Sequence, residues 1–537
     1  VLRDLGVIAA FVLMTALPFL GKAYHIDEPA FLSLARAVLR DPRHPLAFSL
    51  NWYGYSVPMS AVNAYPTVLS YLLAAVIRFT HEVEWLTRLT FVPFELAAAA
   101  SLYLLARRWL ARPLWPTLTL LAGPAYLINM QHLMPDVLIA ALGLAGLWAF
   151  LRALDQGGGR WLWGSAALLS AAMLAKFTIV FLLPVVVYCG RKRALASARL
   201  AAYLAIVLSP LAFLLAREWM TSPYGGVAQT GLWYMNRSYA SPAGAPINKL
   251  RSLAAFLGGC APFAAIWALA AMRSWRRALG LGLAALLAAA VLFLPALDRT
   301  PLSAWERGTG ILFAAGGLAA LWAMIPAASR PDRRPLLLWA AVVAALQLAC
   351  YWSIVSRYVL FLIMPMGLAL AAALEESCDS RRLRWLHIPV FGLTLLLSLG
   401  LALVDRRYAG AQRDIAAMVG RDYVQKGRKV WFTGHWGLQY YMERLGASGI
   451  DIDAGGWKAV HPGDMVVVPG VNSNMVLPPA SARVTDSFRV VIPEPIPLRL
   501  IYLGQAGFYS NSFGILPFAF DRRPVDIFRI ARWEGLD

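Results

Sequence analysis

Two adjacent carboxylates, Asp27 and Glu28, stand in the stretch Tyr24-His25-Ile26-Asp27-Glu28-Pro29, directly after a long apolar run. A positioned carboxylate can take the proton of an attacking alcohol, and acids beside a hydrocarbon layer are costly to desolvate, so the pair needs an explanation. Pro29 suits the first turn of a helix, and acids before it suit the helix N-terminus. A helix cap is therefore the alternative use of the same residues. The following stretch, 30–40, reads as an amphipathic interfacial helix with Phe31, Leu34, Ala35 and Val38 on one face.

A further acid, Asp136, occurs in His132-Leu133-Met134-Pro135-Asp136, where it opens another apolar run. Capping is its simple alternative too. Two basic residues complete the set: Lys176 in Leu174-Ala175-Lys176-Phe177, and Arg357 in Ser356-Arg357-Tyr358. Each could snorkel to an interface. Together they suit a lipid-linked phosphate, held by charge-assisted hydrogen bonds. Asp27, Glu28, Asp136, His25 and His132 also have the donor chemistry for a divalent ion, although the lone histidines read more simply as hydrogen-bond partners.

The elements that must position these residues are apolar helices. The chain has 537 residues, of which 59% are hydrophobic and only 15% charged. Its apolar runs are close to the ~20 residues that cross a hydrocarbon layer, and backbone in lipid must pair internally. Spans are expected at about 4–21, 89–106, 113–130, 137–153, 161–176, 177–189, 199–216, 252–272, 278–296, 309–328, 335–355, 358–375 and 386–404. The first is read as retained rather than as a signal peptide. Run 177–189 is short and carries Pro184, which predicts a bend.

The formal net charge of +20 would suit nucleic acid, but the arginines cluster in the short gaps between alternate runs. That pattern fixes membrane orientation and argues against a nucleic-acid partner. With the N-terminus in the cytoplasm, the basic gaps at 107–112, 152–160, 191–193, 273–277, 330–334 and 381–384 all fall inside. This requires that 63–80 lies in the outer interface and is not a span. Long segments at 22–88, 217–251 and 405–537 are then external. The last changes composition: 429–432 and 464–468 look like strands, and 411–425 and 436–446 have helical periodicity. The reading is an all-α polytopic membrane protein, with about thirteen spans over 1–404 and an extracytoplasmic α/β domain over 405–537. The four cysteines show neither a disulfide framework nor a zinc-type spacing.

The ordered set resembles the GT-C membrane glycosyltransferases, in the branch of the protein O-mannosyltransferases and the aminoarabinose transferase of lipid A. The matching parts are Asp27-Glu28 before an amphipathic helix, the Arg107-Arg108 turn, Met134-Pro135-Asp136, the Ala175-Lys176 turn and Arg357-Tyr358. Gly434-His435-Trp436-Gly437-Leu438-Gln439-Tyr440-Tyr441 is similar to a segment of bacterial members, and reads locally as a helix start with core aromatics. The resemblance implies a polyprenyl-phosphate sugar donor, a lipid, glycan or protein acceptor, and transfer with inversion. It implies Asp27 as base with Glu28 and Asp136 as helpers, and a phosphate site at Lys176, Arg357 and Tyr358. It implies no required metal cofactor, a divalent ion being the alternative. The setting would be a plasma membrane, with the chemistry on the outer side. A lipid or solute transporter (flippase) and a non-catalytic membrane assembly protein are the rival readings.

Overall fold

The computed structural model describes residues 1–62, 68–221, 244–298 and 301–536. Much of the expected external loop 217–251, and the start of the expected interfacial segment 63–80, therefore lie outside the described residues. Every expected apolar run is helical. Among the described residues, eight helices are long and apolar enough to cross a membrane, or nine if the bent pair Pro246–Cys260 and Pro262–Ala270 counts as one span. The chain is a multi-pass membrane protein with a sheet-containing C-terminal part.

The other expected runs are shorter or broken, for local reasons. Run 113–130 divides into Leu114–Ala122 and Pro124–Asn129, because Gly123 before a proline is extended (φ −62°, ψ 144°). Run 177–189 opens as a 3-10 turn, Phe177–Leu182, and becomes α-helical at Leu183–Lys192 with Pro184 in its first turn. The helix Val68–Thr80 has 13 residues, about 20 Å at 1.5 Å per residue, too short to cross alone.

The fold divides into two compact units: 1–18, 91–402 and 500–519 form one, and 19–90, 403–499 and 520–537 the other. This is not a single cut at 404/405. The stretch after the first helix joins the C-terminal part, and 500–519 returns to the helical unit.

In the helical unit, small residues allow the closest approach. A Cβ on Gly258 would lie 1.9 Å from Phe313 O, and one on Gly317 would lie 2.2 Å from Ala254 O. Helices Pro246–Cys260 and Ala304–Ala328 therefore cross backbone to backbone, as small residues permit between spans. At one end of this unit the basic gaps are tied together. Arg108 and Arg193 share Asp155, Arg330 and Arg333 share Glu376, and the amides of Ala111 and Arg112 donate to Glu375. Helices Pro135–Gln156 and Ser356–Ser377 each carry one of these acidic ends, so Asp136 and Arg357 begin them at the opposite end.

The other unit is built on a mixed five-stranded sheet. Val430–Phe432 pairs in parallel with Ser448–Gly449 and with Met465–Val468. Met465–Val468 pairs antiparallel with Asp526–Leu536, which pairs antiparallel with Ala482–Ile492. Alternation sorts the side chains: Met465, Val467, Phe528 and Ile530 face a core with Ala411, Ile415, Val419 and Leu438. Val466, Ala531 and Trp533 face a second core with Trp457 and Ile450. The expected helix 411–425 is not a separate element. It is the end of Ser380–Asp422, one helix of 43 residues, about 65 Å long at 1.5 Å per residue. Nothing between 404 and 411 breaks it, and a lone Gly410 does not suffice.

Candidate active site

In the helical unit, four of the expected site residues meet. Met134 is extended and Pro135 starts the helix, which puts Asp136 in its first turn. Asp136 does not serve as a cap. Its Oδ1 lies 2.8 Å from Lys176 Nζ, and both side chains are almost wholly buried. Lys176 is the extended residue (φ −164°, ψ 128°) between helix Gly159–Ala175 and the 3-10 turn, so its side chain enters the protein instead of snorkelling. Its Nζ lies 4.3 Å from the ring centroid of Tyr358. Arg357 Nε lies 3.9 Å from Asp136 Oδ2, and Arg357 Nη1 donates to Met134 Sδ at 3.2 Å.

Two cations thus approach the two oxygens of one carboxylate. A cleft beside it is lined by Thr178, Phe181, Val343, Leu346, Tyr351, Tyr358 and Phe361. Tyr358 belongs to both cluster and cleft, and its ring packs on Tyr351 at 4.5 Å between centroids. An anion held at the cluster would have apolar surface next to it. Buried cations of this kind stabilise negative charge far better than they would in water.

Asp27 and Glu28 belong to the other unit. Asp27 is the N-cap residue of helix Glu28–Arg40, but its side chain makes no cap hydrogen bond. The residue before it, Ile26, has φ +54°, a left-handed backbone that a β-branched residue adopts only under strain. That strain turns the chain sharply into the helix and leaves Asp27 half-buried while its neighbours are covered. The apolar face expected on 30–40 is buried: Phe31, Leu34, Ala35 and Val38 pack within the protein, where the helix meets Val68–Thr80 and Trp436–Arg444.

Glu28 is fully buried and engaged on both oxygens. Arg88 Nη1 and Nη2 reach Oε1 and Oε2 at 2.7 and 2.8 Å, and the amide of His25 donates to Oε2 at 2.9 Å. Arg88 also donates to the carbonyls of Lys22 and Ala23 at 3.1 and 3.2 Å. One guanidinium therefore fixes the whole turn from 22 to 28. Beside it, Lys22 pairs with Asp405, and His25 Nε2 lies 3.2 Å from Asp405 Oδ1. Sequence reading missed Arg88, Lys22 and Asp405. Each sits at the edge of an apolar run, where a charge reads as an ordinary interfacial residue.

The Gly434–Tyr441 stretch is a helix start with buried aromatics, as expected. Gly434 has φ +90°, and helix Trp436–Arg444 begins two residues later with Trp436 and Tyr440 buried. Burial lowers the His435 imidazole below its usual value, and its Nδ1 meets Gln439 Oε1 at 2.9 Å. All four cysteines are free, as their spacing implied.

Comparison with known proteins adds one family. The model of the dolichyl-phosphate-mannose-protein mannosyltransferases matches residues 64–219, a stretch that contains Arg88, Asp136 and Lys176. Over that stretch the chain resembles these mannosyltransferases. The resemblance drawn from the ordered motifs is thereby borne out, and the match supports a membrane glycosyltransferase as the class of enzyme. No curated protein matches the chain. Among solved structures, ArnT from Cupriavidus metallidurans bound to undecaprenyl phosphate is similar at 17% identity and TM-score 0.42, covering 86% of this chain and 92% of that one. The arabinofuranosyltransferase AftD from Mycobacteria is similar at 13% identity and TM-score 0.42, covering 100% of this chain and 40% of that one.

Proposed function

We propose that the chain transfers a hexose or pentose from a polyprenyl-phosphate donor to a hydroxyl of a lipid, glycan or protein acceptor, with inversion at the anomeric carbon. The observation that carries this reading is the approach of Lys176 and Arg357 to one carboxylate, Asp136, beside an apolar cleft. A polyprenyl phosphate pairs a dianionic head with a hydrocarbon tail; the two cations suit the head, and the apolar and aromatic side chains beside them are of the kind on which a tail packs. In the reaction the acceptor oxygen bonds to the anomeric carbon as the bond from that carbon to the phosphate oxygen breaks. The electron pair leaves with the phosphate. Lys176 and Arg357 stabilise this growing charge. Asp136 keeps Lys176 extended toward the site, and the Tyr358 ring supports the ammonium.

Asp27 is the proposed base for the acceptor proton. Its carboxylate is not used as a cap, and the strained Ile26 ahead of it fits a residue held for function. Glu28 supports it by locking the turn through Arg88. The positive charge that such a reaction needs is available from side chains, so the proposal includes no metal cofactor. The grouping of basic loops at one end of the helical unit supports a cytoplasmic placement of that end, with Asp136, Lys176 and Arg357 toward the outer face of a plasma membrane.

The test is direct. Purified protein in detergent is given a panel of polyprenyl-phosphate sugars, with and without acceptor extracts, and released polyprenyl phosphate is measured. Release from one donor that rises with acceptor is expected. Failure to release lipid phosphate from every donor in the panel, by protein that is folded, would overturn the reading.

A further inference from the structure

Arg357 owes its position to the residues just before it. Helix Ser356–Ser377 starts after an extended Val355 (φ −136°, ψ 147°), and no side chain caps it. The chain 354–356 is instead held by a segment about 150 residues later. The amide of Ser356 donates to Phe508 O at 3.0 Å, and the amide of Asn511 donates to Ile354 O at 3.0 Å. The amide of Ile354 donates to Asn511 Oδ1 at 3.1 Å. Asn511 Nδ2 then donates to Ser252 Oγ at 3.1 Å, on helix Pro246–Cys260. Asn511, Ile354, Ser356 and Ser252 are all buried.

The same segment reaches the other wall of the cluster. Tyr509 OH lies 2.9 Å from His132 Nε2, four residues before Asp136. The segment is stiff enough to act as a template. Strands Ile501–Tyr502 and Ala506–Gly507 pair, and the amides of Gly507 and Leu516 bond to Leu516 O and Gln505 O at 2.9 and 3.0 Å. A Cβ on Gly507 would lie 2.0 Å from Ser510 O, and one on Gly514 would lie 2.0 Å from Gln505 C, so both turns close on glycine alone. Leu516 is anchored in the core with Ala254, Phe293 and Ala314.

We infer that Asn511 is a positioning residue for the phosphate-binding pair, and that 508–511 is part of the active-site frame although it lies far from the apolar runs that carry the site. Its amide oxygen and backbone fix the register of 354–356, and so the direction from which Arg357 projects toward Asp136. Tyr509 steadies the His132–Asp136 wall against it. This rests on the proposed role of Lys176 and Arg357.

The experiment measures binding of polyprenyl phosphate to the full chain in detergent, together with steady-state donor and acceptor kinetics. Asn511→Ala should weaken polyprenyl phosphate binding and lower donor kcat/KM by about tenfold, with acceptor KM changed by less than about threefold. Asn511→Asp keeps an acceptor for the Ile354 amide and offers a second one to the Ser252 hydroxyl, so it should recover most of the loss. Tyr509→Phe, a smaller change that keeps the ring, should shift binding about threefold in the same direction and carries the test if Asn511→Ala fails to fold. Unchanged binding in Tyr509→Phe and in a folded Asn511→Ala overturns the inference alone. A wild-type chain that binds no polyprenyl phosphate overturns the proposed function, and this inference with it.

Discussion

Lys176 Nζ and Asp136 Oδ1 meet at 2.8 Å with both side chains almost fully buried, and Arg357 Nε stands 3.9 Å from the other oxygen of the same carboxylate. Two buried charges of opposite sign offset each other's desolvation, and on the proposed function Lys176 and Arg357 together hold the donor phosphate. On that proposal the phosphate competes with the Asp136 carboxylate for the same cations. Lys176→Met keeps the length of the chain and removes the charge. Turnover of a polyprenyl-phosphate sugar should fall by ~10²–10³-fold, the usual loss when one transition-state charge partner is removed. The measurement is single-turnover release of lipid phosphate. A rate within threefold of wild type would remove Lys176 from the mechanism.

Asp27→Asn preserves shape and removes basicity. Transfer to acceptor should fall by ~10²–10⁴-fold while binding of polyprenyl phosphate stays within about twofold, because the base acts on the acceptor proton and not on the donor. Paired binding and rate measurements on one preparation check this. Full activity in the variant rejects Asp27 as the base.

Arg88→Ala has a different expected signature. Arg88 bonds to Glu28 and to the carbonyls of Lys22 and Ala23, all buried, so its loss removes the bidentate partner of a buried carboxylate and one donor to each of two carbonyls. Removing one member of a buried ion pair costs about 3–5 kcal/mol. Arg88→Lys should recover little, since a single ammonium cannot span the two Glu28 oxygens and both carbonyls. Chemical denaturation in detergent reads the difference. A midpoint equal to wild type for Arg88→Ala would show that the turn 22–28 does not depend on it.

The meeting of Asp136, Lys176 and Arg357 was legible in the sequence because a charge inside apolar surroundings has few uses. Their partners were less legible. Arg88 and Glu28 are 60 residues apart, and Lys22 and Asp405 are 383 apart. Each of Arg88, Lys22 and Asp405 reads alone as an interfacial charge, and only folding reveals the pairing. The apolar helices followed from run length. The division of the chain did not, because the composition change near 405 falls in the middle of a continuous helix that serves both units. Strands as short as Ile501–Tyr502 leave no periodicity to read, so the return of 500–519 to the helical unit was hidden.

If side chains supply the positive charge, a chelator should do little. Incubation with excess EDTA, followed by removal of the chelate, should leave transfer within about twofold of untreated protein, because Lys176 and Arg357 remain in place. Loss of activity that a specific divalent cation restores would overturn the metal-free proposal, while leaving the anion site intact.

Asp526 predicts a pH dependence that belongs to the sheet unit. It is 2% exposed, and its Oδ1 accepts from the amides of Gly470, Val471 and Ile527 at 2.9, 2.9 and 2.7 Å. Its Oδ2 is buried and accepts no hydrogen bond among the described residues. Burial pushes this carboxyl up to about 7, against the opposing pull of the three amides. A raised native value means that the folded protein holds a proton that the unfolded chain has released. Its stabilising contribution is therefore full below the ordinary carboxylate value near 3.8, and is lost progressively as pH rises to about 7. Asp526→Asn retains an acceptor for the three amides and cannot ionise. The wild-type melting temperature should fall between pH 5 and pH 8 by several degrees more than that of Asp526→Asn, on the order of the shift that 1–2 kcal/mol produces in a domain of this size. Parallel melting profiles for the two proteins across that range would show that Asp526 keeps its charge in the folded state, with the three amides outweighing burial.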